Sequence, residues 1–264
     1  MRLPSISGPL HPVLRHDRAP VLASLGIVAA LAWLWLLLGG GLPMPDMDMG
    51  NGQRMLMAAI WSPGYAGLIL AMWAIMMVAM MLPSAAPAIL LVDALARRQA
   101  EHAAPLRAGA FAAGYLIVWF AFSIVATGMQ WMLSSTGLLS GSMAATSRFL
   151  AGTLLIAAGA YQWTPLKRAC LSHCRSPIEF IGRHWRSSGP VLCGVRHGLF
   201  CLGCCWVLML LLFVGGLMNL LWVAGLAVLV FIEKVLPWGG RIGLPTGAVL
   251  IIWGAAVLVV PFSF

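Results

Sequence analysis

Residues 191–213 form an apolar stretch in which cysteine and histidine recur at the spacing of one helical face. Because each residue of an α-helix turns by about 100°, side chains three or four positions apart lie on the same side. Four of these side chains fall within an arc of about 80°, and a fifth lies beside them. They are Cys193, His197, Cys201 and Cys204, followed by Cys205. Thiolate and imidazole ligands suit Cu(I) and Zn(II), so the stretch predicts a soft-metal site. The alternative is close packing, for which membrane helices use small residues and cysteine serves as a small apolar one.

Methionine covers about half the circumference of a second apolar helix, predicted at residues 65–82. Its thioethers form two adjacent stripes that include Met76, Met77, Met80 and Met81. Thioethers prefer Cu(I) over hard cations, so this face is a second copper candidate, at the predicted depth of Cys204 and Cys205. Methionine also fills irregular gaps in a core, which is the alternative. Pro83 and Pro87 are expected to break or kink the helix after this face.

A basic segment, TPLKRACLSHCRSP, precedes the cysteine-bearing helix and contains Cys170 and Cys174. These two cysteines share a face if the segment is helical. Its loop, 165–190, is predicted to be cytoplasmic and therefore reducing, so a structural disulfide is not expected. Neighbouring basic residues are expected to lower the thiol pKa values and favour the metal-binding thiolate. These basic residues are Lys167, Arg168 and Arg175.

A second loop, 40–64, alternates methionine with aspartate. The alternating residues are Met44, Asp46, Met47, Asp48 and Met49. In an oxidising compartment such a loop can take copper through thioethers and carboxylates without forming disulfides. A mobile polar linker is an equally good interpretation of the same residues.

The composition assigns these motifs to a membrane protein. Of the 264 residues, 61% are hydrophobic and 9% are charged, and the mean hydropathy is +0.95. So few charges cannot cover the surface of a soluble domain. Seven segments are long and apolar enough to span a bilayer as helices. They are 21–39, 65–82, 109–133, 148–164, 191–213, 216–233 and 246–263. We therefore predict one all-α domain over 1–264, a polytopic transmembrane helix bundle of about seven spans.

Basic residues are distributed unequally between the two sets of loops. Of the 16 Lys and Arg residues, all but Arg54 and Arg148 fall in one set. The positive-inside rule places that set in the cytoplasm, with the segment 1–20 inside and the C-terminus outside. The net charge of +9 is then explained by topology and by attraction to membrane lipid, without a nucleic-acid partner. Glu233 and Lys234 are expected to form an interfacial ion pair at the inner end of the sixth span.

Several motifs in the chain also occur together in a known family. They are W-x-x-M-M-x-x-M-M-x-P at 73–83, Y-Q-x-T-P-L-K-x-x-C-L-x-x-C-R-x-P at 161–177, G-x-x-C-x-G-C-C-W at 198–206, Met218-Asn219-Leu220 and Glu233-Lys234. Over residues 65–240 the chain resembles the bacterial family of predicted metal-binding integral membrane proteins, a domain of unknown function. The resemblance implies metal binding by a multi-pass protein of the bacterial inner membrane. It implies no substrate and no catalytic residue.

Three functional hypotheses follow. In the first, the methionines pass Cu(I) to the cysteines of the fifth span for copper transport or for delivery to a cuproenzyme. Cys170 and Cys174 would then exchange the ion with a cytosolic carrier, and a periplasmic carrier is possible on the other side; Zn(II) is the second choice of metal. The sequence contains no Walker-type P-loop, so ATP-driven pumping by this chain is not expected.

The second hypothesis is an enzyme, a transmembrane thiol–disulfide relay at the C-x-x-C pair Cys201 and Cys204. It lacks a second cysteine pair on the predicted outer side. The third hypothesis is a membrane scaffold whose cysteines only pack.

Overall fold

The structure, a computed structural model, confirms the prediction of an all-α protein. It describes residues 19–40, 46–48, 54–56, 61–98 and 103–259, with backbone alone at 46–48, 54–56 and 177–188. Most of the predicted N-terminal segment 1–20 therefore lies outside the described residues. The helices are α1 (Ala19–Leu37), α2 (Pro63–Arg98), α3 (Ala104–Ser135), α4 (Arg148–Gln162), α5 (Pro165–Arg175), α6 (Pro177–Leu210), α7 (Leu212–Gly215), α8 (Leu220–Val235) and α9 (Gly239–Val259).

A short antiparallel strand pair lies within the predicted Met/Asp loop. Strand β1 (Asp46–Asp48) pairs with β2 (Arg54–Leu56), and Met47 stands opposite Met55. Met44 and Met49 lie outside the described residues. A copper-binding role for this loop stays a prediction.

Among the described residues, five helices are long and apolar enough to cross a membrane. They are α1, α2, α3, α9 and the part of the chain from Gly189 to Gly215. The remaining two predicted spans correspond to α4 and α8, which have 15 and 16 residues. At 1.5 Å per residue, each of these is about 23 Å long, shorter than the ~30 Å hydrocarbon core of a bilayer. The count of seven spans and their orientation stay predictions.

Helix α2 does not end at its prolines, in contrast to the predicted boundary at residue 82. It continues through Pro83 and Pro87 to Arg98. Proline removes the donor to the carbonyl four residues earlier, and a helix bundle can tolerate such a gap. Next to Pro83, the Met81 carbonyl accepts from the Ser84 hydroxyl over 2.8 Å and from the Tyr115 hydroxyl over 3.2 Å. The methionine face is therefore part of one long helix.

Two glycines mark the ends of the cysteine-bearing part of α6. Gly189 has φ +69°, a left-handed conformation that glycine adopts without a Cβ clash, and it interrupts the helix just before Pro190. At the other end, Gly216 has φ +85° and turns the chain toward α8. The Asn219 side chain then accepts a hydrogen bond from the Trp222 backbone N–H and caps α8.

A two-residue break in the helix, at Trp163 and Thr164, separates α4 from α5. The Thr164 side chain accepts a hydrogen bond from the Lys167 backbone N–H, and Pro165 occupies the first turn of α5. Both features favour a helix start, because a capping oxygen satisfies an orphan donor and proline needs none. The break places Gln162 and Lys167, one on each side of it, beside the end of α8.

The helices pack so that α3 lies along both α2 and α6, while α5 lies along α6 and α4 pairs with α9. The α4–α9 pair approaches closely at glycines: a Cβ on Gly159 would stand 2.6 Å from the Gly247 carbonyl oxygen. Gly152 and Gly254 make the same kind of contact farther along. Small residues allow such backbone approach between membrane helices.

Candidate metal centre

The predicted methionine face of α2 is buried inside the bundle. Met76, Met77, Met80 and Met81 are all at most 2% exposed. Burial alone does not distinguish a ligand from a core residue, because methionine packs well in both settings. The contacts of the Met81 thioether are therefore the observation that distinguishes a possible metal ligand from a core residue on this face.

The Cys201 thiol lies where four helices meet. The Lys234 ammonium of α8 donates to Cys201 Sγ over 2.9 Å, and the Tyr115 hydroxyl of α3 lies 2.9 Å from the same sulfur. Lys234 also contacts the Met81 thioether of α2 at 3.7 Å and the Ser84 hydroxyl at 3.4 Å. The Lys234 nitrogen thus contacts both the Cys201 thiol and the Met81 thioether. The two sulfur atoms can therefore be no farther apart than the sum of these two nitrogen–sulfur distances.

Cys204 and Cys205 are buried next to Cys201 and point back toward it. Their thiols donate to the Cys201 carbonyl oxygen over 3.1 Å and 3.0 Å. These weak hydrogen bonds occupy the two side chains within their own helix. A rotation about each Cα–Cβ bond would release both thiols for another partner.

Cys193 and His197 lie farther along the same helix, on the side that faces α3. The His197 ring lies 5.7 Å from the Phe111 ring and 5.8 Å from the Tyr115 ring. Next to Cys193, the Gly194 backbone packs on the Phe111 carbonyl so closely that a Cβ would stand 2.1 Å from its oxygen. Cys193 and His197 are buried like the others, and His197 also lies close enough to Cys201 and Lys234 to interact with them electrostatically.

The two cysteines of α5 face α6, as their spacing predicts. Cys170 Sγ lies against Gly203, where a Cβ would stand 2.8 Å from the sulfur. Hydrogen bonds with the thiols of Cys201 and Cys204, together with burial, raise the pKa of Cys174 well above its ordinary value. Burial, and then the proximity of Cys204, raise the pKa of Cys170.

The predicted lowering of these two thiol pKa values by neighbouring basic residues is therefore wrong. The charge of Lys167 is not directed at the thiols. Its side chain is buried, with 2% of its surface exposed, and pairs with Glu233. Its ammonium donates to Glu233 Oε2 over 2.7 Å and also to the Gln162 side-chain oxygen. The Gln162 amide donates to the other Glu233 oxygen over 3.1 Å.

The expected ion pair between Glu233 and Lys234 is replaced by two separate contacts. Adjacent residues of a helix point about 100° apart, so these two side chains serve different neighbours. Glu233 pairs with Lys167 at the α4–α5 break, and Lys234 meets Cys201. Both residues are buried rather than interfacial, at 2% and 7% exposure.

The described residues contain no group of three or more His, Cys, Asp or Glu side chains already arranged to hold a metal ion. The thiols of Cys174, Cys201 and Cys204 contact one another, while ammonium and hydroxyl groups occupy the remaining side of Cys201. Soft sulfur donors in this number fit Cu(I) chemically. Binding requires the thiols to exchange their present partners for the metal.

Sequence reasoning missed three side chains that surround the thiols, namely Tyr115, Ser84 and the Lys234 ammonium. Tyr115 stands in an apolar helix with no periodic signal around it. Lys234 lies just beyond the predicted sixth span, 216–233, where a pair with its neighbour Glu233 is expected. The structure buries it instead, and a charged residue in the interior of a membrane protein needs a partner there, which is Cys201.

The fold and the site define an all-α protein whose membrane-length helices enclose a cluster of thiols, thioethers and a buried ammonium group. The model of the copper chaperone family PpoB2 matches residues 70–257, which span most of α2 and continue into α9. The chain belongs to this copper chaperone family. The expectation of a copper-related protein is thereby confirmed. Comparisons with curated proteins and with solved structures return no significant match.

Proposed function

We propose that this chain is a membrane-embedded chaperone that takes Cu(I) as cargo on its α5 and α6 thiols and delivers it to a cuproenzyme or a copper carrier. The ligands in this proposal are Cys201 and Cys204, with Cys174 and the Met81 thioether beside them. The observation that supports this proposal is the position of the Lys234 ammonium, which contacts both Cys201 Sγ and Met81 Sδ. A Cu(I) ion bound at these two sulfurs would keep the Lys234 ammonium beside it as a counterion.

The choice of Cu(I) rests on the donor set. Cu(I) is selected by thiolates and thioethers, whereas Zn(II) favours four tetrahedral ligands that often include imidazole or carboxylate. The buried carboxylates near the inner ends of the helices are engaged elsewhere, since Glu233 pairs with Lys167 and Asp93 pairs with Arg97. The only buried imidazole among the described residues, His197, lies between aromatic rings of α3.

The charge balance favours two thiolate ligands. A Cu(I) ion bound by two thiolates carries a net charge of −1, and a buried ammonium group neutralises it. Lys234 is available for this role because Glu233, its nearest carboxylate in sequence, is already paired with Lys167. Uncompensated charge in an apolar interior is costly, so a neutral total favours the loaded state.

Helix α5 gives a partner access to the cluster. Its Ser172 and His173 side chains are exposed, while Cys170 and Cys174 on the same short helix reach the α6 thiols. A carrier that docks on α5 could exchange Cu(I) through these two thiols. In the predicted topology this helix is cytoplasmic, so the partner would be a cytosolic carrier, and the chaperone itself would sit in the inner membrane among anionic lipids.

The test compares metal binding by cysteine variants of the full chain purified in detergent. We expect Cys201→Ser and Cys204→Ser to weaken Cu(I) binding by about tenfold or more in competition with a Cu(I) chelator, about 1.4 kcal/mol. Cys193→Ser is the matched control, because it removes a buried thiol of the same helix that faces α3. Its affinity should stay near that of the unmodified protein.

Three outcomes would contradict the proposal. The first is unchanged Cu(I) affinity in both variants, and the second is tighter binding of Zn(II) than of Cu(I). The third is a reversible disulfide between Cys201 and Cys204 in metal-free protein, detected by alkylation and mass spectrometry. That last result would favour the thiol–disulfide relay instead.

A further inference from the structure

The loop between α3 and α4, residues 136–147, places a buried methionine in an unusual backbone conformation. Met143 has φ +59° and is the only non-glycine with positive φ in the described part of the chain. L-residues avoid this region because Cβ approaches the following carbonyl oxygen. Met143 is nevertheless 7% exposed, so the strained backbone directs its side chain into the protein. Strain of this kind persists where the surrounding structure imposes it and often accompanies a functional site.

The Met143 sulfur has a defined polar partner. The Gln130 amide donates to Met143 Sδ over 3.1 Å, and the Gln130 carbonyl oxygen accepts from the Trp73 indole N–H over 2.7 Å. Gln130 is 1% exposed, so both hydrogen bonds are shielded from water. Thioether sulfur is a weak acceptor, and a core methionine does not need such a bond. The amide orients this sulfur toward the end of α2 that carries Trp73.

The same face of α2 leads from Trp73 to the thiol cluster. Trp73, Met77 and Met81 follow one another at intervals of four residues, within an arc of about 80°. All three are fully buried. Met81 shares the Lys234 ammonium with Cys201 at the far end of this face. Met143 therefore stands, through Gln130 and Trp73, at one end of a line of buried side chains whose other end is the thiol cluster.

The loop is fixed in this position by its own contacts. The Ala145 backbone N–H donates to the Phe213 carbonyl over 2.8 Å, and the Phe213 ring packs on the Trp73 ring at 5.4 Å. Met143 is thus held over the Trp73 end of the face by both its side chain and the following backbone. It is also separated from the thiols by about 12 Å of helix, from Trp73 to Met81.

We propose that Met143 is a second, weaker Cu(I) ligand, at which copper enters or leaves the methionine face at the α3–α4 end of the bundle. This proposal rests on the proposed function, because the thiol cluster is where the line leads. Cu(I) binding at Met143 replaces the amide–sulfur hydrogen bond with a metal–sulfur bond and changes no oxidation state. The amide loses its acceptor in that exchange, which makes binding at Met143 weaker than at the thiols and suits a transit site.

The direct test uses the full chain with all six cysteines replaced by serine, methyl-labelled methionine and Ag(I) as a soft monovalent probe. We expect the methyl resonance of Met143, assigned by its loss in Met143→Leu, to shift when Ag(I) is added. The resonance of Met132, a 55% exposed methionine of α3, should stay in place. An unshifted Met143 resonance would overturn the proposal, whether or not Met77 and Met81 respond.

A second test uses the protein with its cysteines intact. Met143→Leu should slow Cu(I) loading of the thiols from an external chelate by about tenfold, equivalent to ~1.4 kcal/mol of activation free energy, and leave the final affinity unchanged. Met132→Leu is the control and should load at the normal rate. Equal loading rates in the two variants would overturn the proposal. Failure of the unmodified protein to bind Cu(I) at its thiols would instead refute the proposed function, while the Ag(I) response of Met143 is judged separately.

Discussion

Lys234 Nζ lies 2.9 Å from Cys201 Sγ, while the carboxylate of its neighbour Glu233 turns away to Lys167. Two consecutive residues at the end of α8 therefore fix two different buried contacts. One contact holds the thiol cluster against α2, and the other holds the α4–α5 break against α8. Under the proposed function we expect the first contact to affect copper binding and the second to affect stability, so mutation can separate the two.

Lys234→Met should weaken Cu(I) binding. A complex of Cu(I) with two thiolates carries one negative charge, and without the ammonium that charge is buried uncompensated. We expect a loss of affinity of about tenfold or more, equivalent to at least ~1.4 kcal/mol, in chelator competition. Lys234→Arg retains the charge and should recover part of the affinity. If Lys234→Met bound Cu(I) more tightly, the ammonium would be a competitor of the metal and not its counterion.

Glu233→Gln should destabilise the fold more than it affects copper binding. The substitution leaves the Lys167 ammonium buried, at 2% exposure, without its carboxylate. Removing one partner of a buried ion pair typically costs about 3–5 kcal/mol. Thermal unfolding in detergent should therefore show a large fall in the midpoint temperature.

The double variant Glu233→Gln with Lys167→Met tests the cause of that effect. It removes both charges, and replacement of a whole buried pair by uncharged groups is often nearly neutral. We expect it to unfold at a higher temperature than Glu233→Gln alone. An additive loss of stability would show that the two residues act independently.

The α5 thiols should react slowly with alkylating reagents at neutral pH. The pKa of Cys170 is raised by burial and by Cys204, and that of Cys174 by hydrogen bonds with Cys201 and Cys204 and by burial. A raised thiol pKa means that the reactive thiolate appears only at higher pH. Residue-resolved mass spectrometry should place the midpoint of each pH–rate profile above 9.0, the ordinary thiol value. Fast reaction below that pH would support the basic-residue effect that the sequence suggested.

Gly159→Ala should separate α4 from α9. The added Cβ would stand 2.6 Å from the Gly247 carbonyl oxygen, and backbone atoms cannot yield as a flexible side chain does. Overpacking of this kind typically costs about 1–3 kcal/mol, measurable as a lower unfolding temperature. Gly67→Ala in α2 is the matched control, because a Cβ there meets nothing within 4 Å. That control should be neutral or slightly stabilising, since alanine favours a helix by about 0.5–1 kcal/mol over glycine.

The sequence predicted the sulfur-bearing faces because they depend on local periodicity. The methionines of α2 and the cysteines of α6 are placed by the turn of a helix, and both sets are buried. The partners of these faces depend on contacts between distant parts of the chain. Cys201 meets Lys234 across 33 positions, and Glu233 meets Lys167 across 66, so neighbouring residues gave the wrong pairing.

Helix boundaries at proline and glycine were predicted unevenly. Gly216 turns the chain with φ +85°, a conformation that glycine adopts locally without a Cβ clash. Pro83 and Pro87 do not end α2, which continues through both prolines to Arg98 and packs against α3. The extent of this helix is decided by its neighbours, which the sequence of the segment does not contain.

The glycine contacts between α4 and α9 have a mechanical consequence. Helices whose backbones touch at Gly159 and Gly247, and again at Gly152 and Gly254, behave as one stiff body. A movement that uncovers Cys201 is then expected in α5, a short helix that reaches the α6 thiols through Cys170 and Cys174 and follows α4 after the Thr164 break. If the proposed function holds, copper delivery is expected to move α5 relative to the α4–α9 pair, while that pair keeps its position.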